Sequence, residues 1–194
     1  MTDPLAFATA VVALLVTPGP TNTLLATAGA TVGFRRALGL LVAELSGYFV
    51  AVSTLILVLG PAIATRPALG LGLRCVSAAC LVYVATRLWR SPIDERQAPI
   101  TSRHVFFTTL LNPKTLVFAF AIFPSVSADA RLAVLPWLGG FSVLVATVGT
   151  VWIALGTAAG RPFRRAVEAG LVRRLGAGVV GAFGVLLAVS VVCR

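Results

Sequence analysis

Two short stretches of this chain combine residue types that could hold a small charged solute in an apolar setting. They are Thr17-Pro18-Gly19-Pro20-Thr21-Asn22 and Asn112-Pro113-Lys114-Thr115. Both interrupt long apolar runs. A proline inside a helix removes a backbone donor and clashes with the preceding turn. In lipid, a freed backbone group costs several kcal/mol unless protein or water satisfies it. Two prolines around one glycine therefore predict an unwound stretch followed by a new helix start. Pro20 suits the first position of that helix, with Thr21 and Asn22 in its first turn. Asn112 before Pro113 predicts a cap and first residue in the same way. Each restarted helix presents about half a positive charge and unpaired N–H groups. Lys114 adds a full charge beside one of them. The sum is a site for an anion, such as a carboxylate.

Glu44 is the third chemical element. It is the only acidic residue deep inside an apolar run. A charged side chain at the centre of a spanning helix costs about 2.5–3.5 kcal/mol on insertion scales, and such residues are functional by default. Three readings stand side by side. Glu44 pairs with Lys114, binds a substrate amino group, or carries a coupling proton. Lys114 is a second candidate for the proton, because a buried lysine can release one and an arginine effectively cannot. It is also the only lysine among 16 basic residues.

Other chemistries lack their parts. The single histidine, His104, and the cysteines Cys75, Cys80 and Cys193 form no ligand cluster, so no metal and no cofactor are expected. No C-x-x-C motif and no nucleophile with an adjacent base is present, so the chain does not read as an enzyme.

These residues must be positioned by a membrane domain. The chain is 58% hydrophobic and 11% charged, with a mean hydropathy of +0.99. A soluble domain is about 45–50% apolar and about 25% charged. The composition excludes a soluble enzyme, a disordered chain and a disulfide scaffold. The net charge of +10 resides in arginines between apolar runs. Lipid headgroups and the positive-inside rule account for them better than nucleic acid does. Residues 5–16 resemble a signal peptide, but Asp3 and the absence of a basic residue before them argue for a first transmembrane helix.

Apolar runs place spans at about 5–32, 37–60, 68–89, 104–126, 132–158 and 171–193. The expected fold is all-α, a single transmembrane transporter domain over 1–194 with six helices. Eleven basic residues flank one side of these spans and four flank the other, which puts both termini outside. The segments 14–18 and 109–113 are similar, and each lies in the first helix of a three-helix unit. The units, about 1–92 and 100–194, would therefore form an inverted repeat, with helices one and four broken at mid-membrane. Pro18 lies roughly 20 Å from one span end and Lys114 roughly 15 Å from the opposite one, by the rise of 1.5 Å per residue. Gly29 and Gly33, Ala43 and Gly47, Gly156 and Gly160, and Gly178 and Ala182 are small pairs that let helices pack closely.

Taken together, these motifs resemble the lysine exporter family of bacterial amino-acid efflux proteins (LysE/RhtB type). The resemblance rests on Pro18-Gly19-Pro20, the small residues at Gly33, Ala37, Ala43 and Gly47, and Asn112-Pro113-Lys114. Ala37 and Ala43 depart from the glycines usual in that pattern. The resemblance implies export of amino acids or similar small metabolites from the bacterial cytoplasm across the plasma membrane, driven by the proton motive force. It also suggests a homodimer. The site expected from the two breaks and the buried charges comprises Thr17 to Asn22, Glu44 and Asn112 to Thr115. Competing readings are an exporter of an inorganic cation and a non-transporting membrane scaffold.

Overall fold

Asp3 starts the first helix. Its carboxylate accepts from the backbone N–H of Leu5 at 2.9 Å, and Pro4 occupies the first turn, where no donor is needed. The computed structural model describes residues 3–59, 66–90, 100–112, 114–123 and 132–168, with 170 and scattered positions from 174 to 189. All elements among the described residues are helical. In chain order they are α1 (Pro4–Val16), α2 (Pro20–Val32), α3 (Phe34–Ala37), α4 (Leu40–Thr54), α5 (Pro67–Arg90), α6 (Ser102–Leu110), α7 (Lys114–Val117) and α8 (Leu135–Glu168). π-helical turns extend α4 over Leu55–Leu59 and α7 over Phe118–Ile122.

The helix ends follow the local sequence. α2 begins at Pro20 and stops at Gly33, whose φ of 84° suits a residue without a side chain. Thr101 caps α6 by accepting from His104 N at 3.2 Å. α8 contains a non-helical residue, Gly160, with φ 49° and ψ −123°, and Pro162 follows it. Several hydroxyls along the helices bond back to their own turns, whereas Ser53 Oγ has no partner among the described residues. Ser46 donates to Val42 O, Ser142 to Leu138 O and Thr150 to Ala146 O. That removes the cost of an unpaired hydroxyl in an apolar environment.

Two stretches among the described residues are long and apolar enough to cross a membrane, Phe34–Val58 and Leu132–Gly160. α1 and α2, bent by 62° at the residues between them, are together long and apolar enough to make a third if they act as one broken span. The expected spans at 37–60 and 132–158 match the first two closely. The expected third span corresponds to α5. The expected fourth span divides into α6, α7 and a π-turn. Most of the expected sixth span lies outside the described residues.

α8 is the packing hub. It runs against α2 most extensively and also contacts α1, α3 and α4. The α2–α8 crossing is backbone to backbone. A Cβ on Gly156 would collide with the backbone of Ala26, and one on Gly29 with the carbonyl of Ile153. Thr157 Oγ1 donates across the same crossing to Gly29 O at 3.1 Å. Small residues thus replace side-chain interdigitation here.

Two apolar clusters form the interior. The first gathers Phe7, Val11 and Leu15 of α1, Tyr48 and Val52 of α4, Phe118 and Phe123, and Leu138, Phe141 and Val145 of α8. Its aromatic rings meet edge to face, with Phe118 and Phe141 centroids 4.9 Å apart and Phe7 and Trp137 also 4.9 Å apart. The second cluster gathers Leu25 and Ala28 of α2, Leu40 and Ala43 of α4, Val105 of α6 and Ile153 of α8.

Candidate functional site

Apart from Thr27, which lies within the second cluster's stretch of α2, the buried polar residues fall where each helical path passes from one apolar cluster to the other. Thr17 to Asn22 separate Leu15 from Leu25. Glu44 separates Ala43 from Tyr48. Thr109 to Thr115 separate Val105 from Val117, and Gly149 separates Val148 from Ile153. The result is one polar layer between two apolar ones. Thr21, Asn22, Glu44, Thr109, Asn112, Lys114 and Thr115 are all buried in it.

The break between α1 and α2 exposes carbonyls that the helix no longer uses. Side chains take them up. Asn22 Nδ2 donates to Leu15 O at 2.6 Å and to Thr17 O at 2.9 Å. Thr17 Oγ1 donates to Leu14 O at 2.6 Å. Lys114 Nζ reaches from the other break and donates to Thr17 O, also at 2.6 Å. The ammonium therefore sits at the carbonyl end of α1, where the helix dipole favours a cation. It also lies against Gly19. A Cβ there would be 3.1 Å from Nζ and 3.2 Å from Cε.

The amino-terminal end of α2 is different. Gly19 precedes it and supplies no side-chain cap, and its first helical bond is Thr23 N to Gly19 O at 2.9 Å. The N–H groups of Thr21 and Asn22 thus have no capping side chain. The start of α7 is already provided for. Asn112 Oδ1 accepts from Lys114 N at 3.1 Å, and Asn112 O accepts from Thr115 N at 3.0 Å and Thr115 Oγ1 at 2.6 Å. Among the described residues, the helix start without a side-chain cap is therefore that of the first break.

The two breaks are joined directly. Asn112 Nδ2 donates to Thr21 Oγ1 at 3.2 Å and to Tyr48 Oη at 3.4 Å, while Thr21 and Thr109 share a hydroxyl–hydroxyl bond at 3.2 Å. Glu44 approaches the layer from α4 and is 1% exposed. Its Oε2 has no hydrogen-bond partner among the described residues. Lys114 Nζ donates to Thr17 rather than to Glu44, and no ion pair joins the two.

Of the residues singled out in the sequence, Thr17, Gly19, Thr21, Asn22, Asn112, Lys114 and Thr115 come together around the two breaks. Pro18 and Pro20 shape the first break, Pro113 lies outside the described residues, and Glu44 stands to one side. Tyr48, Thr109 and Gly149 were not singled out. Tyr48 lies one helical turn from Glu44 and Thr109 three residues before Asn112, so helical spacing was the available signal. Gly149 had none, being one of 18 glycines.

A model of the LysE type translocator family matches residues 12–194, nearly the whole chain. The chain belongs to the LysE type translocator family. The match takes in both breaks, Glu44 and the α2–α8 crossing, so the polar layer described above is that of a LysE type translocator. The protein is accordingly a membrane transport protein. No curated protein and no solved structure matches it.

Proposed function

We propose that this LysE type translocator is a secondary exporter of amino acids or similar small zwitterionic metabolites from the bacterial cytoplasm, coupled to protons. One observation carries the reading. The uncapped start of α2 and the ammonium of Lys114 flank Gly19 within a buried layer. A substrate carboxylate placed there accepts from the Thr21 and Asn22 N–H groups and pairs with Lys114. Its ammonium group faces the hydroxyl and carbonyl oxygens of the layer, and Glu44 binds that group or carries a counter-moving proton.

The architecture we infer is six spans in two inverted three-helix halves, with both termini outside and the breaks at mid-membrane. A pseudo-equivalence supports it. Matching Thr17-Pro18 with Asn112-Pro113 makes Gly19 the counterpart of Lys114. These two residues touch each other, as positions beside a two-fold axis in the membrane plane do. Two lysines would repel and overfill that place, and one lysine against one glycine fits. Transport proceeds by one half rocking against the other.

The test is movement of labelled amino acids in inside-out vesicles, with resistance to amino-acid analogues as the screen for substrate. Wild-type protein is expected to accumulate substrate under a proton gradient. Lys114→Ala is expected to abolish this. Undiminished transport by Lys114→Ala and Glu44→Ala would sink the site assignment.

A further inference from the structure

Glu44 and Gly149 form a feature that the carboxylate site does not use. A Cβ on Gly149 would lie 2.5 Å from Glu44 Oε2, 2.7 Å from Leu41 Cδ2 and 3.3 Å from Leu25 Cδ1. The carboxyl oxygen therefore presses on the α8 backbone between two leucines. It has no donor. An ionised carboxylate with one oxygen lacking a donor in such surroundings carries a desolvation penalty. A neutral carboxylic acid avoids most of it. A substrate ammonium cannot reach Oε2 from this side either, because α8 occupies the space where it would bond. The titratable groups near enough to interact with Glu44 electrostatically, among the described residues, are Lys114 of α7 and Tyr48 of α4. Neither makes a hydrogen bond to it among the described residues.

The place of this contact gives it a consequence. α2, α4 and α8 meet here, and farther along α8 lies the Gly156–Ala26 and Ile153–Gly29 crossing, within the apolar cluster on one side of the polar layer. On the Gly149 side, water can reach Oε2 only if α8 moves off α2 and α4. That movement opens the same crossing.

We propose that Glu44 is the proton-carrying group of this transporter rather than the ligand of the substrate ammonium, and that Gly149 is its positioning residue. With the proton on, the carboxylic acid packs dry against Gly149 and the α2–α4–α8 junction closes. When the proton passes to water, the carboxylate stays behind and holds the junction hydrated and open. This rests on the transport reading given above, which it deepens.

Infrared spectroscopy of the full chain in lipid tests the protonation without requiring transport. The other acidic residues, Asp3, Asp94, Glu95, Asp129 and Glu168, lie outside the spans as read from the sequence. A neutral-carboxyl band at pH 7 is expected in the wild type and its loss in Glu44→Gln. Gly149→Ala should shift that band, whereas Gly139→Ala, where nothing lies within 4 Å of an added Cβ, should leave it in place. Absence of the band in the wild type overturns the proposal. In vesicles, exchange of labelled substrate should depend on pH in the wild type, lose that dependence in Glu44→Gln and recover it in Glu44→Asp. A Glu44→Gln protein that keeps the wild-type pH profile overturns it as well. So does one whose only defect is weakened substrate binding, since that is the behaviour of an ammonium ligand. Wild-type protein that exchanges no amino acid or analogue would instead overturn the transport reading, and the infrared band would still decide the state of the carboxyl.

Discussion

The ammonium of Lys114 occupies the space that a side chain on Gly19 would need. The backbone of Gly19 is extended, with φ −159° and ψ 174°, so any residue could adopt it. Only room excludes a side chain. Alanine there would meet Lys114 Nζ at 3.1 Å and push the flexible ammonium by a few tenths of an ångström. Valine would displace it from Thr17 O. A hydrogen bond to a charged group is worth about 1.5–3 kcal/mol net. Gly19→Val is therefore expected to weaken substrate binding about tenfold or more, on the scale of 1.4 kcal/mol per decade. Gly19→Ala should do so less. Binding isotherms in detergent, with thermal unfolding as the control for folding, check the order.

Asn22 and Lys114 share an acceptor, yet their removal should have opposite consequences. Asn22 satisfies both Leu15 O and Thr17 O. Asn22→Ala leaves Leu15 O without its side-chain donor, at a cost of about 1–3 kcal/mol. Lys114→Met keeps the apolar stem and leaves Thr17 O with its bond from Asn22. It should cost less stability while removing the charge that holds the substrate carboxylate. Thermal unfolding should rank Asn22→Ala below Lys114→Met, and substrate binding should be lost in Lys114→Met. Arginine at 114 is not expected to rescue binding, because a planar fork cannot take the place of a compact ammonium against Gly19.

How much of this was legible in the sequence follows from the range of each interaction. The start of α2 at Pro20 and the cap at Asn112 depend on neighbouring residues, so they could be read directly. The use of Asn22 to satisfy the carbonyl end of α1 depends on how sharply the chain turns at Gly19, and composition does not report that. The sequence suggested two free helix starts converging on one anion. In the structure Asn112 occupies the second start, and among the described residues the start without a side-chain cap is the first. The meeting of Gly19 with Lys114 spans 95 positions and exists only once the halves are packed. Gly149 was invisible for a related reason. Its role is the room it leaves for Glu44, and a missing side chain carries no local pattern.

Asn112 serves as a cap and as a bridge, and two substitutions should separate these roles. Asn112→Ser retains a cap acceptor for Lys114 N but cannot reach Thr21 and Tyr48. Asn112→Ala loses both. The difference between them should be about 1 kcal/mol, the usual worth of a cap. Combining Asn112→Ser with Thr21→Val should show a coupling of about 0.5–3 kcal/mol, because the two residues share a hydrogen bond. Denaturation of the four proteins in one detergent gives the cycle. Strict additivity would mean that the bridge contributes nothing.

The α2–α8 crossing should be the least tolerant place in the protein. A methyl group on Gly156 meets the Ala26 backbone, which cannot turn aside as a side chain can. Overpacking typically costs 1–3 kcal/mol, occasionally more, and here the two helices must separate. Gly156→Ala is expected to lower the unfolding temperature clearly. Gly139→Ala, on the same helix with nothing within 4 Å, should leave it unchanged.

The aromatic cluster lies across the polar layer from that crossing, so it is the other barrier to water. Phe141 is its centre. The ring is 4.9 Å from Phe118, 5.4 Å from Phe123 and 5.8 Å from Tyr48, centroid to centroid. Phe141→Ala should destabilise the fold by about 3–5 kcal/mol through the cavity it leaves. It should also open a route to the layer. A cysteine placed at Thr21, in a background with Cys75, Cys80 and Cys193 replaced by serine, is expected to react slowly with a water-soluble maleimide. Phe141→Ala should speed that reaction, and Phe141→Leu, which fills more of the cavity, should speed it less. If the rate depends only on substitutions at Gly156, the aromatic cluster packs the helices without sealing the layer, and the crossing alone controls access.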